Sequence, residues 1–360
     1  MNRLFSKLFV FALLFFIPEK ALSQLESQTD NITPDFAITE SGSVGFAVTA
    51  HNKNNNNYLV VWTQKAVHEN NSPTYIYARL YGGNGKPLAS NKISLGYEGD
   101  YNERDPYVVY NPDDNEYLVV WGGGNQGSES HTVYKIYAQR INAANGQKIG
   151  PKLFLNGKYY NGMHAYLPRN PAAAYNPNNG EYFVVWFGNP LYKASDNTYY
   201  NEYEIYARRI NAKTGQIIDN ADIRISYFGP RGENNYYTEF PKVVHNPIKN
   251  HYLVAWTGKI VSPTSRAIYG KLLNADGQAL GQEFLISTTN NSNANFVDLA
   301  HNTAKDEYLA VWGRAYYDSL GRYSGNEIFG QRLNANGTKI GQNEFSISKM
   351  GEDGNRYASA

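Results

Sequence analysis

No cysteine occurs in the 360 residues, which excludes a disulfide framework, a lipid-modified cysteine anchor and any cysteine-ligated metal site. Stability has to come from packing. Excess charge of either sign is missing as well: 33 basic residues against 32 acidic ones, dispersed along the chain, give no electrostatic argument for nucleic acid or for an anionic membrane surface. Long apolar runs are absent beyond the N-terminus. There Arg3 and Lys7 precede the apolar stretch Leu8–Ile17, and Ala21-Leu22-Ser23 supplies a small-x-small cleavage pattern before Gln24. Residues 1–23 are therefore expected to be a cleaved secretory signal peptide, with residues 24–360 forming one domain that is soluble, not inserted in a membrane, and secreted or periplasmic. Without the leader, 30 basic and 31 acidic residues remain, a formal charge of −1. Sustained helical periodicity is the last absence, and it rules out helical repeat arrays.

What the chain does have is a phrase repeated five times. Tyr58–Trp62, Tyr117–Trp121, Tyr182–Trp186, Tyr252–Trp256 and Tyr308–Trp312 are variants of Tyr-Leu-Val-Val-Trp, and they account for all five tryptophans. The tryptophans are 59, 65, 70 and 56 residues apart, a spacing that belongs to repeat proteins. Each copy lies in a longer unit, at roughly 43–97, 103–156, 168–227, 238–289 and 294–349.

The second unit serves as the type. Pro106–Tyr110 reads as a strand, Asn111–Glu116 as a tight turn and Tyr117–Trp121 as a second strand. Ile136–Ile141 is a third strand, Asn142–Gly146 another turn, and Ile149–Leu155 a fourth strand. β-Branched and aromatic residues favour the strands, and Asn-Pro and Asn-Gly favour the turns. The third place of the third strand is always small (Ala78, Ala138, Ala207, Gly270, Gly330), which suggests a large neighbour, and the repeated tryptophan is the expected one.

The second strand is apolar on both faces, since Tyr117, Val119 and Trp121 point one way and Leu118 and Val120 the other. Such a strand must be covered on both sides. Four-stranded antiparallel sheets stacked face to face around an axis provide that cover, so the expected fold is an all-β propeller. Five blades are expected, with an N-terminal strand helping closure. The alternative is six with one incomplete, because Asp35–Thr39 reads like an extra fourth strand and Arg356–Ala360 like the start of another first strand.

The phrase Asn-Pro-x-x-Asn-Glu-Tyr-Leu-Val-Val-Trp, followed by Ile-Tyr-Ala-Gln-Arg-Ile-Asn-Ala-x-Asn-Gly, resembles the repeats of secreted bacterial β-propeller proteins, most of them uncharacterised. The resemblance covers residues 35–349. It implies the fold and says little about a ligand. The WD dipeptide, the Kelch double glycine and the Asp-box of sialidase propellers are missing.

In an antiparallel meander the two short turns of each unit share one end and the longer connections share the other. The longer connections vary, so they are the expected binding end. They carry Tyr101, Tyr159, Tyr160, Tyr199, Tyr200, Tyr236, Tyr237, Tyr316 and Tyr317, with Arg104 and Arg169 nearby. Aromatic faces beside guanidinium donors suit a neutral polar ligand such as a sugar. The expected function is therefore a non-catalytic, lectin-like propeller that binds a glycan or an extracellular protein and needs no cofactor. An alternative is a propeller glycoside hydrolase or other polysaccharide-active enzyme, for which Asp105, Glu239 and Asp298 near the inner strands are the acids to inspect. A second is a scaffold for protein interaction.

Three apparent motifs fail on context. Gly122–Gly127 fits GxGxxG but no helix follows it. Gly82–Lys86 is a hairpin turn. His51, His245 and His301 share one repeated place with Tyr110 and Tyr175, which indicates a common packing and hydrogen-bonding role in preference to a metal site.

Overall fold

The computed structural model describes residues 44–65, 73–96, 100–126, 132–156, 163–193, 198–200, 203–228, 236–259, 266–288, 293–317 and 323–348. The expected leader and the strand-like segments 35–39 and 356–360 lie outside them. The described residues contain twenty-one strands and no helix.

Five antiparallel sheets follow one another along the chain. Sheet 1 comprises β1 (Val44–Asn52), β2 (Asn57–Lys65), β3 (Thr74–Gly82) and β4 (Ile93–Ser94). Sheet 2 comprises β5 (Asp100–Asn111), β6 (Glu116–Gln126), β7 (Thr132–Asn142) and β8 (Lys148–Phe154). Sheet 3 comprises β9 (Met163–Asn176), β10 (Glu181–Lys193), β11 (Thr198–Tyr200), β12 (Glu204–Asn211) and β13 (Ile223–Arg224). Both β11 and β12 pair with β10. Sheet 4 comprises β14 (Thr238–Asn246), β15 (His251–Lys259), β16 (Arg266–Asn274) and β17 (Phe284–Leu285), and sheet 5 β18 (Asn293–Asn302), β19 (Glu307–Tyr317), β20 (Tyr323–Asn334) and β21 (Lys339–Ser346). This is the all-β propeller architecture that the doubly apolar second strand requires.

Asparagine makes the turns. Asn52, Asn111, Asn176 and Asn246 each accept, through Oδ1, the backbone N–H groups two and three residues on, the Asx turn that mimics a backbone turn. The residue that closes each of these four turns is left-handed, as is Asp306 in the equivalent turn of sheet 5: Asn56, Asn115, Gly180, Asn250 and Asp306 have φ between 47° and 65°. Asn, Asp and Gly are the residues that tolerate this region.

Successive sheets bury their facing surfaces in four cores, one each between sheets 1 and 2, 2 and 3, 3 and 4, and 4 and 5. All five tryptophans are at most 1% exposed. The expectation about their neighbour needs correcting in direction. Within its own sheet Trp121 stands opposite Tyr137, while Ala138 stands opposite Val120, so tryptophan and small residue lie on opposite faces. Trp121 instead shares a core with Ala78 of the preceding sheet, and Trp186 with Ala138. The close neighbour in the same sheet is the fourth strand: a Cβ on Gly270 would come within 2.8 Å of Ile286, and one on Gly330 within 2.9 Å of Phe345.

Candidate functional site

Successive first strands β1, β5, β9, β14 and β18 pack beside one another, which makes them the innermost strands. Each breaks register with its partner at one equivalent place. The residues there are Phe46, Asp105, Asn170, Phe240 and Phe296, each sixteen residues before its tryptophan. The last four have φ of +54°, +46°, +53° and +57°, so the break is a β-bulge with a left-handed residue. Proline follows at Pro106, Pro171 and Pro241, where a bulge frees the ladder from needing a donor. One residue per sheet is thereby lifted into a tier at the end of the longer connections. Phe46 and Phe296 in that tier are 73% and 64% exposed.

Asp105 is the carboxylate of the tier. Burial pushes its pKa up, against the opposing pull of the Arg104 charge, a backbone hydrogen bond from Asn170 and the Arg169 charge. It borders a cleft of about 460 Å³ whose walls include Phe46, Thr63, Lys65 and Arg104. Two residues below the bulge, Tyr107, Lys242 and Asp298 occupy one register level, opposite Val120, Ala255 and Val311. They converge across the axis: Lys242 Nζ stands 4.6 Å from the Tyr107 ring centre. Burial, with the Asp298 charge second, raises the Tyr107 pKa. Asp298 Oδ1 accepts the Leu299 N–H at 3.0 Å. One residue above the bulge, Glu239 pairs with Arg266 at 3.5 Å.

Other buried acids are committed to the scaffold. Glu103 accepts the Ile76 N–H and Trp121 Nε1–H, each at 3.0 Å. Glu116 takes both arms of Arg140 at 2.8 Å and the Tyr182 hydroxyl at 2.8 Å. Glu204 binds Arg224, Ser226 and the Phe228 N–H. The His/Tyr position bonds the residue closing its own turn in four sheets, His51 to Asn56, Tyr110 to Asn115, His245 to Asn250 and His301 to Asp306, whereas Tyr175 donates to Asp113 of sheet 2. Among the described residues no three His, Asp or Glu side chains are grouped to hold a metal.

The sequence-predicted residues divide. Arg104 and Arg169 flank Asp105 as charges. Tyr237 accepts a hydrogen bond from Arg266 at 2.9 Å, Tyr236 lies edge-on to Phe228, and Tyr316 donates to Glu327 at 3.3 Å, so these three rings are tied to their own strand ends. Tyr101, Tyr199, Tyr200 and Tyr317 lie in β5, β11 and β19, in paired strand extensions and not in irregular loops. Tyr159 and Tyr160 lie outside the described residues. The sequence reading missed Lys242, Tyr107 and the bulge tier. The signal was there in the constant sixteen-residue offset and the X-Pro pairs.

No family model and no curated protein matches the chain. Solved structures do. The GH43 endo-arabinanase of Bacillus licheniformis aligns over 81% of this chain and 97% of its own, at 12% identity and a TM-score of 0.43. The α-L-arabinofuranosidase of Lactobacillus brevis aligns over 82% and 92%... at 11% identity and 0.46.

 The sialidase of Trypanosoma rangeli aligns over 85% of this chain and 48% of its own, at 12% identity and 0.50. At such identities the likeness speaks for the fold alone. The expectation of a non-catalytic, lectin-like propeller is corrected by the names these structures carry, which are those of glycoside-cleaving enzymes, and an enzymatic reading of this chain is a proposal, made below.

Proposed function

We propose that the protein is an exported polysaccharide-active enzyme, a propeller glycoside hydrolase whose substrate enters at the bulge tier. The observation that carries this reading is Asp105, a carboxyl with a raised pKa set at the rim of a cleft beside exposed aromatic rings. A glycosidase needs one carboxylic acid to protonate the leaving oxygen and a second, ionised carboxylate acting at the anomeric carbon. Asp105 takes the first role, because burial keeps its proton to a higher pH than an ordinary aspartate. Asp298, which shares Tyr107 with Lys242 across the axis, takes the second. Glu239, held by Arg266, orients the sugar. Phe46 and Phe296 offer faces on which sugar rings stack.

Release of reducing sugar from a panel of arabinans, galactans and aryl glycosides tests the reading. Asp105→Asn and Asp298→Asn should each lower kcat by about 10²–10⁴-fold while thermal unfolding stays unchanged. No turnover by the unaltered protein across the panel, or full turnover in both variants, would refute it. Export belongs to the same proposal, as does kinship with secreted propeller repeats. Protein recovered outside the cytoplasm should begin at Gln24. The blade number belongs to the same proposal: five, with an N-terminal strand helping closure, and six with one incomplete as the alternative.

A further inference from the structure

Core packing does not account for Phe240 and Phe296. Both rings lie outside the four cores, and Phe296 is 64% exposed. Both residues also hold a left-handed backbone, with φ of +53° and +57°. Asp105 and Asn170 fill the same bulge place in sheets 2 and 3, and Asp and Asn enter this region at little cost. Phenylalanine enters it only under strain, which folds keep mainly at ligand-binding and catalytic positions.

The two rings make one surface. Their centres are 4.6 Å apart with planes at 48°, and the buried Phe187 of sheet 3 meets Phe240 edge-on at 6.1 Å, which anchors the pair on its inner side. Polar groups border the open side. The residue before each ring is polar, Glu239 and Asn295. Thr257, opposite Glu239 in the ladder, donates its hydroxyl to Asn295 Oδ1 at 3.2 Å. The Asn295 amide nitrogen, with two donors to give, makes no hydrogen bond among the described residues. An apolar face edged by hydrogen-bonding groups matches a pyranose ring, whose axial C–H bonds gather on one side while its hydroxyls project from the rim. A furanose ring has no such flat face.

The pair stands across the axis from the Asp105 cleft. Two residues on from Phe240 and from Asp105, Lys242 reaches over to the Tyr107 ring, so a lysine and a tyrosine side chain together measure the gap. One sugar ring does not span it. We propose that Phe240 and Phe296 form a second sugar subsite, which takes a pyranose unit of the oligosaccharide cut at Asp105. The inference rests on the glycoside hydrolase reading and adds a substrate class: a chain of pyranose units long enough to reach from sheet 2 to the junction of sheets 4 and 5.

Titration calorimetry on Asp105→Asn, which holds substrate without cutting it, tests the subsite with galactan oligosaccharides from disaccharide to pentasaccharide. Affinity should rise with chain length. Adding Phe296→Asn should weaken pentasaccharide binding about tenfold or more, whereas arabinan oligosaccharides, built of furanose rings, should lose nothing. Asparagine relieves the left-handed strain, so the same substitution should leave the denaturant midpoint where it was or raise it. Phe296→Trp keeps a ring at the position and should hold the pentasaccharide as tightly as phenylalanine does. Pentasaccharide affinity unchanged by Phe296→Asn, or no binding of any galactan oligosaccharide, would overturn the subsite even if the unaltered protein cleaves other glycans. Binding weakened by Phe296→Asn in a protein that turns over no glycan would uphold the sugar subsite and refute hydrolysis alone.

Discussion

In four sheets the isoleucine that opens the inner part of the third strand has its N–H capped from just past the fourth strand: Asn156 caps Ile136, Ser226 caps Ile205, Ser287 caps Ile268 and Ser348 caps Ile328. Sheet 1 has Gly96 at that place, and Glu103 reaches across from sheet 2 to cap Ile76. Removing the carboxylate strands two buried donors, so Glu103→Ala should cost about 2–4 kcal/mol in a denaturant titration. A side chain at Gly96 would meet Glu103 Oε2 at 2.2 Å. Gly96→Ser alone should therefore destabilise, but in the Glu103→Ala background it should restore part of the loss, and simple additivity of the two changes would contradict this account. In the proposed reaction Asp105 is the acid of the same neighbourhood. As a general acid it works while protonated, so activity should fall as pH rises through its raised pKa. The Arg169 charge lowers that pKa. Arg169→Met should move the alkaline limb of the kcat profile upward, and a limb that moves down or stays would count against Asp105 as the acid.

At the level of the element, the second strands are tied to the preceding sheet by one repeated hydroxyl. Tyr117 donates to Asn57 at 2.9 Å and Tyr182 to Glu116 at 2.8 Å, and the Tyr252 and Tyr308 hydroxyls meet Asn176 at 3.0 Å and His251 at 2.6 Å. Tyr182→Phe leaves the Glu116–Arg140 pair buried and one donor short, which should cost about 1–3 kcal/mol. Tyr58→Phe, at the partly exposed tyrosine of sheet 1, should cost only a few tenths by the same denaturant measurement. Equal losses would mean that the hydroxyl has no role in joining sheets. The strands themselves were legible because alternation over five residues states both faces at once, and the turns because Asn and Gly name the left-handed positions. Two features were not legible. Alternation says that Trp121 and Ala138 face opposite ways only when the cross-strand register is known, and register is set by the turn geometry. The strand extensions holding Tyr199 and Tyr316 carry no alternation that would distinguish them from loops.

For the whole molecule, sequence spacing established how many units there are but could not say how the ring ends, since closure depends on which faces meet and not on any one unit's pattern. The site shows the same division. Asp105, Glu239 and Asp298 could be named from their place on the first strands, whereas the approach of Lys242 to Tyr107 joins sheets 4 and 2 and exists only once the first strands surround an axis. The pH dependence of global stability is likewise a property of the assembled ring. Burial lowers the His245 pKa from 6.5 to about 4, and it lowers that of His251 in the same direction. A histidine with a depressed folded-state pKa binds its proton first in the unfolded chain, so stability contributed by the neutral ring is intact above pH 6.5 and is lost as pH falls from 6.5 towards 4. For His245 the loss should amount to about 2–3 kcal/mol. Asp105, Glu181 and Glu204 have raised pKa values and pull the other way, because each takes up its proton more readily in the folded protein. The His245 contribution is therefore read as a difference. His245→Tyr places at this position the residue that sheets 2 and 3 already use, Tyr110 and Tyr175, and should unfold at nearly the same denaturant concentration as the unaltered protein at pH 7.5 but at a higher one at pH 4.5. If the two titrations stay parallel across that interval, His245 is already charged in the folded ring or exposed to water there, and the burial argument fails.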